Sequence, residues 1–213
     1  MPVMQTTTAP FPTMSDLFDL YSPPAADISP TDEFGGEVLC WGTAVYEGVY
    51  PDAYDSHRAL AMQLARDYKP GDLWLLRSRE RLPYPYAPFY AIGGMFRTEE
   101  KLGRRADWLL WIDDDVVVAK DVARVLRRAA DPEERPFVAA VGYDRQPPDF
   151  LPAVWGNGPD GQYAQLEHDE VPASGIYRVR ATGLCAAIFH RSLFDRVSEP
   201  WFAVTPPVNG QMG

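Results

Sequence analysis

Trp108-Leu-Leu-Trp-Ile-Asp-Asp-Asp-Val-Val-Val118 is the stretch whose reading decides the fold. Four apolar residues, Leu109 to Ile112, run into three consecutive carboxylates, Asp113, Asp114 and Asp115, and Val116 to Val118 follow. A short continuous apolar run bounded in this way reads as a buried strand of a parallel sheet. Acids at the carboxyl end of such a strand stand where open α/β sheets bind ligands. Three adjacent negative charges repel one another, so folding alone gains nothing from them. A divalent cation relieves that repulsion, and magnesium or manganese prefers carboxylate oxygen. The plainer alternative is that Asp115 or Asp121 caps the following helix, since aspartate is a good cap. A cap needs one acid, however, and this turn has three.

Outward from that stretch, the pattern alternates between strand and helix. Val38–Thr43, Asp72–Ser78, Trp108–Asp113 and Pro136–Gly142 read as strands. Ala53–Tyr68 and Asp121–Ala130 read as helices, and the second half of Pro88–Arg105 does so despite Gly93-Gly94. The alternation predicts an α/β fold with a mainly parallel, Rossmann-like sheet and helices on both faces. Residues 144–174 are rich in Pro, Gly and Asp and are expected to form a long functional loop. Ile176–Ala181 and Leu184–Phe189 read as two more strands around Thr182-Gly183, with a short helix near Ser192–Val197. Residues 1–35 carry Pro10, Pro12, Pro23, Pro24 and Pro30 and are expected to form an extended or disordered arm, with at most a short helix over Met14–Leu20. The remaining residues, 36–213, are expected to form one catalytic domain.

Composition narrows the function. A net charge of −10 argues against a nucleic-acid partner, because phosphate backbones require a basic face. Cys40 and Cys185 lie in apolar segments without zinc spacing and are expected to be reduced core residues. No apolar run is long enough to span a bilayer, and no basic-then-apolar leader is apparent, so a cytoplasmic location is expected. Oligomeric state is open, with a homo-oligomer possible.

The arrangement over Glu37–Phe202 resembles the GT-A type of glycosyltransferase. Asp113-Asp114-Asp115 stands in the position of that family's DxD signature. Ala181-Thr-Gly-Leu-Cys-Ala-Ala-Ile-Phe-His-Arg191, followed by Leu193-Phe194 and Pro200-Trp201-Phe202, is similar to its acceptor-side stretch. The resemblance implies transfer of a hexosyl-type sugar from a nucleotide-diphosphate donor, by default a UDP-sugar, to an acceptor it does not identify. It also implies a Mn2+ or Mg2+ ion held against the diphosphate. Carried over residue by residue, Asp115 is the direct metal ligand. Asp113 approaches the ribose, or the metal through water, and Asp114 supports one or the other. From topology, Thr43 and Ala44 at the end of the first strand and Arg79 after the second would border the base and ribose, a plain solvated arginine being the alternative at Arg79, and Trp155, Thr182 and Gly183 would meet the acceptor.

Two departures from the family stand out. Where many relatives carry Arg-Asn before the DxD strand, this chain has Tyr86-Ala-Pro-Phe-Tyr90, with Arg97 deeper in. Where an acidic pair often supplies the catalytic base, it reads Val208-Asn-Gly-Gln-Met-Gly213. No base is therefore assigned: it comes from elsewhere, or the chemistry retains configuration, or the sequence is incomplete.

Two rival readings remain. Asp113-Asp-Asp-Val-Val117 also fits the first motif of a haloacid-dehalogenase-type phosphatase, with Asp113 as nucleophile and Asp115 as acid-base group. That motif usually opens its domain, though, and the last lysine here is Lys120, which leaves no later lysine for the phosphate. The other rival is a non-catalytic nucleotide-sugar-binding domain. Among the remaining polar residues, Glu167-His168-Asp169-Glu170 reads as a solvated acidic loop, the alternative being an extra metal ligand or a catalytic carboxylate reaching in from the loop. His57 and His190 read as structural or surface residues, and Arg124, Arg127 and Arg128 as a solvated helix face. Tyr163, like Trp155, is an aromatic able to stack on a sugar or to pin its loop.

Overall fold

The computed structural model describes residues 34–43, 51–77, 86–143 and 150–202. All of them lie within the compact unit Asp32–Gly213. The expected arm, including Met14–Leu20, falls outside the described residues apart from its last two positions.

The fold is α/β. Strands β1 (Leu39–Thr43), β2 (Leu73–Arg77), β3 (Trp108–Ile112), β4 (Phe137–Ala139) and β8 (Ala186–His190) form a sheet of order β2-β1-β3-β8-β4. β1 pairs in parallel with both β2 and β3. β8 lies antiparallel between β3 and β4, so the sheet is mixed: β1 to β4 run one way and β8 alone runs the other, with parallel pairing confined to β2-β1-β3. The reason is the path of the chain. Asp113 N–H donates to Cys185 O at 3.0 Å, so the chain enters β8 at the carboxyl end of β3 and has to run back down.

Alternating side chains feed two cores. Leu39, Trp41, Trp108, Leu110 and Ile112 face one side with α1 (Pro51–Asp67) and α3 (Val122–Ala129). Val38, Cys40, Leu109 and Trp111 face the other with α2 (Tyr86–Leu102) and α4 (Leu193–Arg196). β3 is buried along its whole length, which explains why its sequence is continuously apolar rather than alternating.

α2 runs through Gly93-Gly94, where propensity alone disfavours helix by about 1 kcal/mol per glycine. The helix is held by its packing on the sheet, where Ala91, Ile92 and Met95 are buried. On the sheet beneath, a Cβ on Gly42 would come within 2.8 Å of the Ala91 Cβ, so β1 and α2 approach too closely for any side chain at that position.

The basic face expected on α3 is not simply solvated. Arg127 Nε donates to Glu37 at 2.8 Å, and its guanidinium lies 4.2 Å over the Trp108 ring. Arg124 Nε donates to Asp67 at 2.8 Å, tying α3 to the end of α1. Arg128 is exposed, as expected. Arginine stems cover apolar surface while their heads find carboxylates, a combination that helical periodicity does not reveal.

Within the expected loop, β5 (Val154–Asn157) and β6 (Tyr163–Gln165) form a hairpin, and β7 (Ala181–Thr182) adds to its other edge. Ile176–Ala181 is thus strand only at its end. Arg180 braces the hairpin, donating to Asn157 Oδ1 at 3.2 Å and to Gly161 O at 2.5 Å. No helix among the described residues is long and apolar enough to cross a membrane.

Candidate functional site

The three acids sit where β3 ends. Asp114-Asp115 forms a turn, and Val116–Ala119 runs without regular structure to α3. The helix-cap alternative fails on geometry. Asp121 occupies the N-cap of α3 and makes no side-chain cap bond, and Asp115 is six residues earlier.

The acids differ from one another. Asp114 is buried, at 8% exposure, whereas Asp113 and Asp115 are half-buried. Asp113 Oδ1 accepts the Trp111 indole N–H at 2.8 Å. Trp111 is a site residue that sequence reading passed over, because it looked like one more core aromatic.

Two walls flank the turn. On one, burial pushes the Cys185 thiol up, and the charges of Asp113 and Asp115 push the same way. On the other, burial pulls the His57 imidazole down, against the Val116 carbonyl and the charges of Asp114 and Asp115. The charge of Asp115 bears on both groups. Cys185 is half-buried at the site and is not the core residue expected from its apolar neighbours. Cys40 is buried as expected, and both thiols are free.

Asp113, Asp114 and Asp115 border a broad concavity that wraps the β4 edge of the sheet. Its volume, about 2000 Å³, exceeds that of a single ligand pocket. It reaches Leu126 on one face and Phe194 on the other, so only the end near the acids counts as the site. Trp155, Thr182 and Gly183 line the same concavity. Trp155 pairs with Ala181 across β5 and β7, and Gly183 N–H donates to Ala153 O at 2.7 Å. Thr43 ends β1 with its hydroxyl buried and without a hydrogen-bond partner among the described residues. Ala44 lies outside the described residues, as does Arg79.

The loop Glu167–Glu170 is exposed, and Glu170 caps its own turn by accepting the Glu167 N–H at 2.8 Å. His168 stacks on Tyr143, with ring centroids 5.7 Å apart. His190 lies against Trp108, at 4.7 Å.

Among the described residues, no three His, Cys, Asp or Glu side chains come together as a ready cation cage. Magnesium or manganese held against a diphosphate does not need one. One or two carboxylates suffice, with phosphate and water completing the shell. Asp113 and Asp115, both partly exposed on either side of a buried Asp114, fit that donor set.

Gly142 secures the join between the acids and β8. A Cβ there would lie 2.0 Å from Cys185 Sγ and 3.3 Å from its Cβ. Gly142→Ala is expected to destabilise by about 1–3 kcal/mol through overpacking. It should also displace Cys185, whose carbonyl holds the Asp113 N–H. Adding Cys185→Ala removes the sulfur and should recover most of the loss. Chemical denaturation of the two singles and the double checks this, and an additive double variant would mean the clash is not the cause.

No protein-family model matches the chain, and no curated protein is similar enough to match it.

Proposed function

We propose that this chain is a metal-dependent glycosyltransferase of the GT-A type, moving a sugar from a nucleotide-diphosphate donor to an acceptor. One observation carries the reading. Three carboxylates stand at the carboxyl end of a fully buried central strand, none of them the N-cap of α3, and border an open concavity, with Asp113 and Asp115 partly exposed. Three adjacent like charges repel one another, and a cation held against a diphosphate relieves that repulsion.

In this reading Asp115 is the direct ligand of Mn2+ or Mg2+. Asp113, oriented by the Trp111 indole, meets the ribose, or the ion through water. Asp114 braces the turn from the buried side. The ion, when bound, supplies Lewis-acid stabilisation of the departing diphosphate. Thr43 would face the nucleoside, and Trp155, Thr182 and Gly183 form the acceptor side. A UDP-sugar is the first donor to try.

The test is thermal unfolding with nucleoside diphosphates, with and without manganese. A ligand at a hundredfold its dissociation constant adds about 2.7 kcal/mol. A shift that requires both nucleotide and manganese is expected, and it names the base. No shift with any nucleotide overturns the proposal.

A further inference from the structure

His57 lies nearly sixty residues from the acids in sequence, yet it touches the turn that carries them. Its Nε2 is 3.1 Å from Val116 O, and a carbonyl only accepts, so Nε2 carries the proton and donates. The neighbouring Ser56, itself buried, accepts the Val118 N–H on Oγ at 3.3 Å and donates to Ala53 O at 2.9 Å. The ring of His57 is held edge-on against Trp41, centroids 6.0 Å apart and planes at 77°.

The acid turn is therefore clamped at both ends. Upstream, β8 holds Asp113 through Cys185 O at 3.0 Å. Downstream, α1 holds Val116 and Val118 through two consecutive side chains. Between the clamps the backbone of Asp114 and Asp115 has little room to swing. Three like charges would otherwise push such a turn outward.

We propose that His57 and Ser56 are positioning residues of the cation site, keeping Asp115 where it meets the ion and the diphosphate. The inference rests on the function proposed above and adds α1 to the machinery. Groups that orient metal ligands without touching the metal typically change metal affinity by about 10–100-fold when removed.

Two substitutions and two measurements test it on the whole chain. His57→Ala removes the donor to Val116 O. His57→Gln places an amide N–H close to where Nε2 stood. The probes are UDP, GDP, ADP and CDP, each titrated with manganese, and ligand-free unfolding is followed in every variant. His57→Ala should weaken manganese-dependent nucleotide binding about tenfold or more, and His57→Gln should restore most of it. A lower melting point in His57→Ala with wild-type nucleotide affinity overturns the inference and leaves the proposed function standing. A wild-type chain that binds none of the probes overturns both.

Discussion

Asp115→Ala is expected to abolish the manganese-dependent effect of nucleotide while leaving the ligand-free protein folded. At a nucleotide concentration a hundredfold above the wild-type dissociation constant, about 2.7 kcal/mol of stabilisation should disappear. The ligand-free variant should stay folded and melt close to the parent. Asp115 is half-buried at the edge of the concavity, and removing it reduces a run of three repelling carboxylates to two. This pairing of effects separates a ligand from a structural acid: a structural carboxylate costs stability when removed, whereas a cation ligand costs only binding. Thermal unfolding with and without manganese and nucleotide reads both at once. Unchanged manganese-dependent affinity in the variant would falsify the assignment of Asp115.

The largest expected effect on stability lies at the other end of α1. Asp67 accepts from Gln63 Nε2 at 2.9 Å and from Arg124 Nε at 2.8 Å, and Arg124 makes a second, parallel bond through its terminal nitrogen. The two charged side chains are only 3% and 13% exposed. Asp67→Ala removes the carboxylate that neutralises a largely buried guanidinium. The loss should be about 3–5 kcal/mol, because the remaining charge stays desolvated. For a chain of this size that lowers the melting temperature by roughly 6–20 °C. Asp67→Leu combined with Arg124→Met should recover most of it, since apolar residues of similar volume replace a buried pair at little cost. A loss below about 1 kcal/mol in Asp67→Ala would match a solvated surface pair and contradict the burial.

The two experiments address sites joined by one helix. The last turn of α1 braces α3, and its first two turns carry Ser56 and His57 to the acid turn. A chain destabilised at Asp67 but still folded should retain nucleotide binding, whereas a chain altered at Asp115 should retain stability without binding.

The local pattern alone determined much of this protein. The apolar run ending in Asp113-Asp114-Asp115 marked the central strand and the place of the candidate site, because a fully buried strand needs apolar residues on both faces. Strong periodicity located α1 and α3 to within a few residues, and the alternation of strand and helix implied a layered α/β fold. Tertiary structure alone decided the rest. The antiparallel course of β8 follows from a long-range contact, Asp113 with Cys185, that no local pattern encodes. α2 persists through two glycines because its packing on β1, close at Gly42 and Ala91, outweighs propensity. β5 and β6 are short strands whose partners are set by hairpin pairing, in a stretch whose prolines and glycines read as loop. Trp111, His57 and Ser56 look like ordinary core or surface residues in sequence. They become site residues only because the sheet and α1 bring an indole, an imidazole and a hydroxyl against one turn. Periodicity reports which face a residue occupies, and only the packed chain determines which groups meet there.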